Sequence, residues 1–465
     1  MHLDVLIAEI GSTTTLVNAF NDIDSLNPVF IGQGSSPTSI EQGDVRIGLE
    51  GAIENLKGKL SVQSEELIWD SFLATSSAAG GLRMTVHGLV YDMTVKAARE
   101  AALGAGANIH QITAGKMRQS DINRMISIKP NIIMIAGGVD YGERDTALIN
   151  AEAICNALES AALNIPVIYA GNIENQDEIK NTFSDYRGRL VIVDNVYPRI
   201  DDLQIASARK IIQAVFEDNI IHAPGMEHIR DMVDGSIVPT PGSVMLAAEI
   251  LEENIGDLVV IDVGGATTDI HSVTSGSEEI SRILISPEPH AKRTVEGDLG
   301  IYLNRKNVLQ LLLQHKKDIS PDREKLQSEL IKSVENLGPV PKTDREKKLA
   351  RDLTQIAAVT ALQRHAGTYR DLYGPQGKTK IAEGRDLTAV RYCIGTGGAL
   401  TRLKGGLGAL QKMIGSSRIN NLYPGKGTKF LIDKDYTMAS LGVLSKQFPE
   451  AAVRLLKQSL GLSNE

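Results

Sequence analysis

Asp4-Val5-Leu6-Ile7-Ala8-Glu9-Ile10-Gly11-Ser12-Thr13-Thr14-Thr15 opens the chain with an apolar run that ends at a carboxylate, turns on a glycine and returns through hydroxyl residues. The same pattern recurs as Leu258-Val259-Val260-Ile261-Asp262-Val263-Gly264-Gly265-Ala266-Thr267-Thr268-Asp269. Each apolar run, bounded by glycine, reads as a buried strand followed by a Thr-rich return strand. Turn glycines let main-chain N–H groups approach phosphate oxygens, hydroxyls add donors, and a carboxylate can hold a hydrated cation. Two copies in opposite halves of the chain predict two similar halves facing each other across a nucleotide cleft.

Outward from the first copy, strands are expected near 28–32 and 67–74, with a helix over 45–57 between them. Ser76-Ser77-Ala78-Ala79-Gly80-Gly81 then precedes an alternating strand over 82–91 and a helix over 93–103 ended by Gly104. From about 126 to 217 the pattern becomes strand–helix repeats. Strands fall at 132–136, 167–170 and 190–193, and helices at 146–163, 175–183 and 201–216. Gly137-Gly138 and Gly171-Asn172 lie just past strand ends, where open α/β sheets present ligands.

Pro239-Thr240-Pro241-Gly242 punctuates the chain before a helix over 243–253. The main boundary is placed there, giving an N-terminal domain of residues 1–240 and a C-terminal domain of residues 241–465. Residues 299–365 read as a charged helical insertion in the second domain, broken at Ser320-Pro321 and Gly338-Pro339-Val340-Pro341; its charges are a solvated face. A third glycine turn, Tyr392-Cys393-Ile394-Gly395-Thr396-Gly397-Gly398-Ala399-Leu400, follows another strand and leads into a helix.

At 465 residues the chain exceeds one ordinary core, and 42% hydrophobic with 23% charged residues is a globular composition. The net charge of -8 argues against a nucleic-acid binder that works by neutralising phosphates. Cys155 and Cys393 are too few for a disulfide framework, a four-thiolate zinc site or a cysteine-held cluster within one chain, and two core thiols are expected. No apolar run reaches membrane-spanning length and no charged leader precedes the first strand, so a cytoplasmic protein with no membrane partner is the expectation.

The three glycine turns, in this order and separation, resemble the actin-like ATPase superfamily of sugar kinases, actin and heat-shock chaperones. That resemblance implies an α/β protein of two ribonuclease-H-like domains around a nucleotide cleft, binding ATP with Mg2+. It puts Glu9, Gly11, Ser12, Thr13 and Thr14 on the first phosphate loop, and Asp262, Gly264, Gly265, Thr267 and Thr268 on the second. Gly395, Gly397 and Gly398 would border adenosine. Glu9 and Asp262 would be the catalytic pair and the metal-organising carboxylates. Glu9 stands where that superfamily usually has Asp, one methylene shorter.

Over the whole chain, residues 4–15, 76–84, 136–142 and 262–269, with Arg293-Thr294-Val295-Glu296-Gly297-Asp298-Leu299-Gly300, resemble the MutL family associated with adenosylcobalamin-dependent glutamate mutase, not the mismatch-repair proteins of the same name. The resemblance implies a chaperone-like ATPase that reactivates the mutase, with mutase subunits as partners and adenosylcobalamin met only through them. Asp298 either faces the nucleotide or caps a helix start. A small-molecule kinase, a dehydratase activator and a non-catalytic ATP-binding scaffold are the rivals. Gly377-Lys378-Thr379 mimics the tail of a Walker loop, but Leu372 holds the required upstream glycine position. Asp269-Ile270-His271 begins like a cobalamin-ligating motif, but Thr274 replaces its last glycine.

Overall fold

A computed structural model describes residues 1–463 apart from 40–42, 63–66, 78–81, 221–225, 316–322, 339, 375–376, 404 and 416–419. Residues 78–81 of the serine–glycine stretch, Ser320-Pro321 and Pro339 therefore lie outside the described residues.

The opening strand His2–Ile10 pairs antiparallel with Thr14–Asn21, which pairs antiparallel with Val29–Pro37. On its other side it runs parallel to Ile68–Ser76, with Val238–Pro239 parallel beyond. The second sheet repeats this plan. Leu258–Val263, Thr268–Val273 and Ala291–Glu296 form an antiparallel meander, and Tyr392–Thr396 and Lys429–Ile432 follow in parallel. Both sheets thus have the order three-two-one-four-five, counted along the chain within each. The protein is α/β, with two ribonuclease-H-like units. Its central strands are apolar along nearly their whole length because both faces are covered.

Between strands four and five of the first sheet sits a five-stranded parallel sheet, in the order Asn108–Ala114, Arg83–Gly88, Ile132–Ile135, Val167–Tyr169, Leu190–Ile192. This is the two-one-three-four-five order of a doubly wound sheet. Alternation sorts its faces. Met84, Val86, Ile132, Met134 and Ile168 join the core of the first sheet, whereas Ile133, Ile135, Val167 and Tyr169 meet the helices Asp145–Ser160 and Gln176–Thr182. The parallel block therefore begins at Arg83 and not near 126. The spacing misses Asn108–Ala114 because it is an edge strand with mixed burial and no apolar run.

Helix Thr240–Ile255 carries the chain from the first sheet to the second, with Pro241 in its first turn and Gly256, at φ 89°, ending it. It crosses helix Met438–Leu444 so closely that a Cβ on Gly442 would lie 1.8 Å from the Ser243 carbonyl oxygen. Helices Met438–Leu444 and Pro449–Leu460 return to the first sheet, where Leu441, Leu455 and Leu456 join Val5, Ile7, Phe20 and Leu73 in one core. In the second half, helix Asp344–His365 starts on a capping box between Thr343 and Glu346. Its buried stripe, including Leu349, Leu353, Ile356 and Leu362, covers Val259 and Ile261 of the second sheet. The charged helices are thus partly a structural layer. Gly377-Lys378-Thr379 lies exposed in the hairpin Thr368–Gly374 and Gly377–Glu383. Both cysteines are free and buried. Among the described residues no helix is long and apolar enough to cross a membrane.

Candidate functional site

Each apolar strand that opens a sheet ends in the same tight turn. Gly11 N–H donates to the Thr14 carbonyl at 3.0 Å, and Gly264 N–H donates to the Thr267 carbonyl at 2.9 Å. The two turns face each other, since a Cβ placed on Gly265 would lie 3.4 Å from Thr13 Oγ1. The N–H groups of Ser12, Thr13, Gly265 and Ala266 have no acceptor among the described residues. Two facing turns, each with two unpaired main-chain donors, carry the kind of group that an anion such as phosphate requires.

The hydroxyls divide their work differently from the sequence expectation. Thr267 Oγ1 donates to Asp269 Oδ2 at 2.8 Å, and Thr268 Oγ1, fully buried, donates to the Leu299 carbonyl at 2.8 Å. Ser12 Oγ donates to the Ser77 carbonyl at 3.3 Å. From the second turn, donation to phosphate in this state would come from the main chain.

Glu9 and Asp262 occupy matching positions near the ends of their strands. Glu9 is buried and its Oε2 has no hydrogen-bond partner. Burial, then the charges of Asp262 and Asp433, push its carboxyl up to about 8. Asp262 is pushed up to about 7, again by burial first and then by Asp269 and Asp433, with Arg293 opposing. Two buried carboxyls, each raised by burial and by neighbouring carboxylates, are a pair that a divalent cation would discharge. The orphaned Glu9 oxygen and the four free N–H groups fit Mg2+ with a polyphosphate.

The third motif splits. Gly397, at φ 84°, has no room for a side chain, because a Cβ would lie 2.3 Å from Asp262 Oδ1 and 2.6 Å from the Val263 carbonyl oxygen. Gly398 follows at the start of a short helix, beside the ring of Tyr436. Gly395 lies inside the strand and faces the core instead, its Cβ space filled by Leu410, Ile432 and Leu400. Asp298 pairs through both oxygens with Arg364, at 2.7 and 2.9 Å, and Glu296 joins the same guanidinium. The next helix begins only at Arg305, so Asp298 is not its cap. Its segment buttresses the second loop. Ile301 N–H donates to the Gly264 carbonyl, Tyr302 N–H and Leu303 N–H to that of Gly265, and Asn304 Nδ2 to that of Ala266.

Sequence reasoning missed three residues here. Asp433 is buried and accepts from Thr396 Oγ1 at 2.9 Å, Ser459 Oγ at 2.6 Å and the Met438 N–H at 2.9 Å. It fixes the turn that carries Tyr436, a non-glycine residue at φ 54°. Thr38 Oγ1 donates to the Gly11 carbonyl at 2.8 Å and meets Thr15 Oγ1 at 3.0 Å, bracing the first loop. A polar turn, Asp433-Lys434-Asp435-Tyr436-Thr437, after a short apolar strand was the signal available for the first two; Thr38 had none.

The family model described as MutL protein matches residues 5–460. The chain is 33% identical over 475 residues to Protein MutL of Clostridium tetanomorphum, covering 98% of each. Among solved structures, nucleotide-free acetone carboxylase aligns at TM-score 0.41 and 11% identity, over 95% of this chain and 70% of that one. A nucleotide-free diol dehydratase-reactivating factor aligns at TM-score 0.35 and 11% identity, over 97% and 100%. The ADPNP-bound activator of 2-hydroxyisocaproyl-CoA dehydratase from Clostridium difficile aligns at 0.32 and 9%, over 99% and 98%. Structural likenesses this distant carry no argument about chemistry, whereas the sequence match spans nearly the whole molecule. By that match the chain belongs to the MutL protein family.

Proposed function

We propose that this chain is an ATP-dependent accessory protein that reactivates an adenosylcobalamin-dependent mutase, glutamate mutase being the member its family likeness implies. The observation that carries the nucleotide part is the face-to-face placement of two equivalent glycine turns, Thr13 against Gly265, with the Glu9 and Asp262 carboxyls behind them. Mg2+ would be held by Glu9 and Asp262, and ATP would supply a phosphoanhydride whose loss changes the charge between the two loops. The free N–H groups of Ser12 and Thr13 bind from one half, and those of Gly265 and Ala266 from the other. Gly397 and Gly398 would border the nucleoside beside Asp262. Contacts from both halves exist together only while the terminal phosphate is present, so its departure favours an open state. In the open state the protein would part the mutase subunits and let intact cofactor replace damaged cobalamin.

The rival reading as a dehydratase activator, whose resemblance implies an iron–sulfur cluster held by two cysteines close in the chain, lacks such a pair here. Cys155 lies in the inserted domain and donates to the Thr182 carbonyl, whereas Cys393 is buried in the second sheet.

The test uses glutamate mutase inactivated with hydroxocobalamin. Adding this protein, ATP, Mg2+ and fresh adenosylcobalamin restores activity, and Asp262→Ala does not. Recovery without ATP would overturn the nucleotide-driven mechanism. ATP binding with no recovery would overturn the mutase role while leaving the cleft reading intact.

A further inference from the structure

The inserted domain is tied to the two halves by different forces. Its helix Lys96–Gly104 buries Ala97, Ala98, Ala101 and Ala102 in the same apolar core as Leu6, Ala8 and Ile10 of the first sheet. Toward the second sheet the contact is ionic and buried. Lys96 Nζ reaches Ser286 Oγ at 3.0 Å, the Pro287 carbonyl at 2.9 Å and Glu288 at 2.7 Å. Lys292, on the edge strand of the second sheet, pairs with Glu288 and stands 3.8 Å from Glu100.

At the centre of this seam is Arg293, a fully buried side chain. Its Nε donates to Asp269 Oδ1 at 2.8 Å, and its Nη1 donates to the carbonyls of Leu103 at 3.0 Å and Ala107 at 3.3 Å. The Leu103 carbonyl lies in the last turn of the helix, where its dipole is negative, and that of Ala107 just beyond the helix end. The other oxygen of Asp269 accepts from Thr267 of the second glycine turn. An unbroken chain of bonds thus runs from Thr267 through Asp269 and Arg293 into the inserted domain.

We infer that Arg293 couples occupancy of the second glycine turn to the position of helix Lys96–Gly104, making the inserted domain the nucleotide-responsive part of the molecule. This rests on the proposed nucleotide cleft. Thr267 Oγ1 carries one proton, so donating it to a phosphate oxygen withdraws it from Asp269. Asp269 then has one bond fewer, and its hold on Arg293 changes. The receiving side has a second arrangement within reach. Both oxygens of buried Glu100 lack hydrogen-bond partners, with Lys292 and Arg99 at 3.8 and 3.6 Å, so a small shift of the helix would satisfy them. A buried seam with one unsatisfied carboxylate and a nearby cation is an element with two states that both sites can bias.

Hydrogen exchange of the full chain, with and without ATP and Mg2+, tests this alongside calorimetric measurement of nucleotide binding. In the wild-type chain, the amides of residues 96–107 should change their exchange by about five-fold or more on binding. Arg293→Lys keeps a charge beside Asp269 but loses the fork that reaches the helix end. It should lose most of that response while its nucleotide dissociation constant stays within about five-fold of wild type. Should Arg293→Lys not fold, Lys96→Met at the outer end of the seam, where the side chain is 18% exposed, should give the same separation of binding from response. Binding without any change over residues 96–107 in the wild type overturns the coupling, as does a full response in the folded Arg293→Lys or Lys96→Met variant. Failure of the wild-type chain to bind nucleotide overturns the cleft reading instead, and the coupling with it.

Discussion

The two glycine turns have the same internal bond and the same place in the same sheet order, yet they are held differently. Among the described residues the first is braced by Thr38, whose side chain takes the Gly11 carbonyl and whose N–H takes that of Thr13, and by Ser77, whose carbonyl takes the Ser12 hydroxyl. The second is wrapped by residues 299–304, which bind the carbonyls of Gly264, Gly265 and Ala266 and the Thr268 hydroxyl. Behind it stands the Asp269–Arg293 pair. In the proposed coupling, the second turn is the one bonded through to the inserted domain. Duplicated architecture therefore does not imply duplicated roles.

The largest effect is expected from Gly300→Ala. A Cβ there would lie 2.1 Å from the Ala266 carbonyl oxygen, backbone against backbone. We expect about 3 kcal/mol or more of destabilisation, read by denaturant unfolding, with loss of nucleotide binding. Unchanged binding would mean that residues 299–304 do not shape the second turn.

Matched substitutions in the turns come next. At Gly11 a Cβ would meet the Thr14 carbonyl oxygen at 2.6 Å, whereas at Gly264 the corresponding distance is 3.2 Å. Gly11→Ala should cost about 2 kcal/mol and Gly264→Ala about 1 kcal/mol or less. Equal or reversed costs would show that the wrapping around the second turn, not this clearance, sets tolerance.

The carboxyl pair makes stability depend on pH. Between its ordinary value of 4.5 and about 8, Glu9 is ionised in the unfolded chain and protonated in the folded one. The unfolded chain then holds fewer protons, so stability falls as pH rises through that window. Asp262 acts in the same direction between 3.8 and about 7. Without cation, Tm should decline from about pH 5 to pH 8, and Glu9→Gln should flatten the decline. Saturating Mg2+ with ATP should flatten it too, because bound cation favours the ionised forms. A Tm that rises over this range would show that the pair is already ionised in the free protein.

The smallest effect is expected at Arg364. Its partners Glu296 and Asp298 lie beside the second turn, but the guanidinium is 40% exposed and Asp298 45%. Arg364→Ala should cost below about 1 kcal/mol and leave nucleotide affinity within about three-fold. A larger loss of affinity would return Asp298 to the cleft.

Local patterns carried much of this. The apolar runs ending at Glu9 and Asp262, with their glycines and threonines, were legible because a buried strand and a tight turn are set by residues close together in the chain. Gly397 was legible for the same reason, its positive φ being a local demand. Edge strand Asn108–Ala114 was not, since half its surface is polar and only its neighbour Arg83–Gly88 makes it a strand. Gly395 looked like part of the third turn but is a packing residue, a distinction that depends on Leu410 and Ile432 from other elements.

The amino-acid sequence alone determined the two strand–turn–strand units, their order and the character of the carboxylates. Tertiary structure decided that Thr13 meets Gly265, that the Thr267 and Thr268 hydroxyls are already engaged, and that Arg293 reaches from the second sheet to the carbonyls of Leu103 and Ala107. Turn geometry depends on neighbours a few residues away, whereas raised carboxyls and buried ion pairs depend on which distant segments exclude water around them.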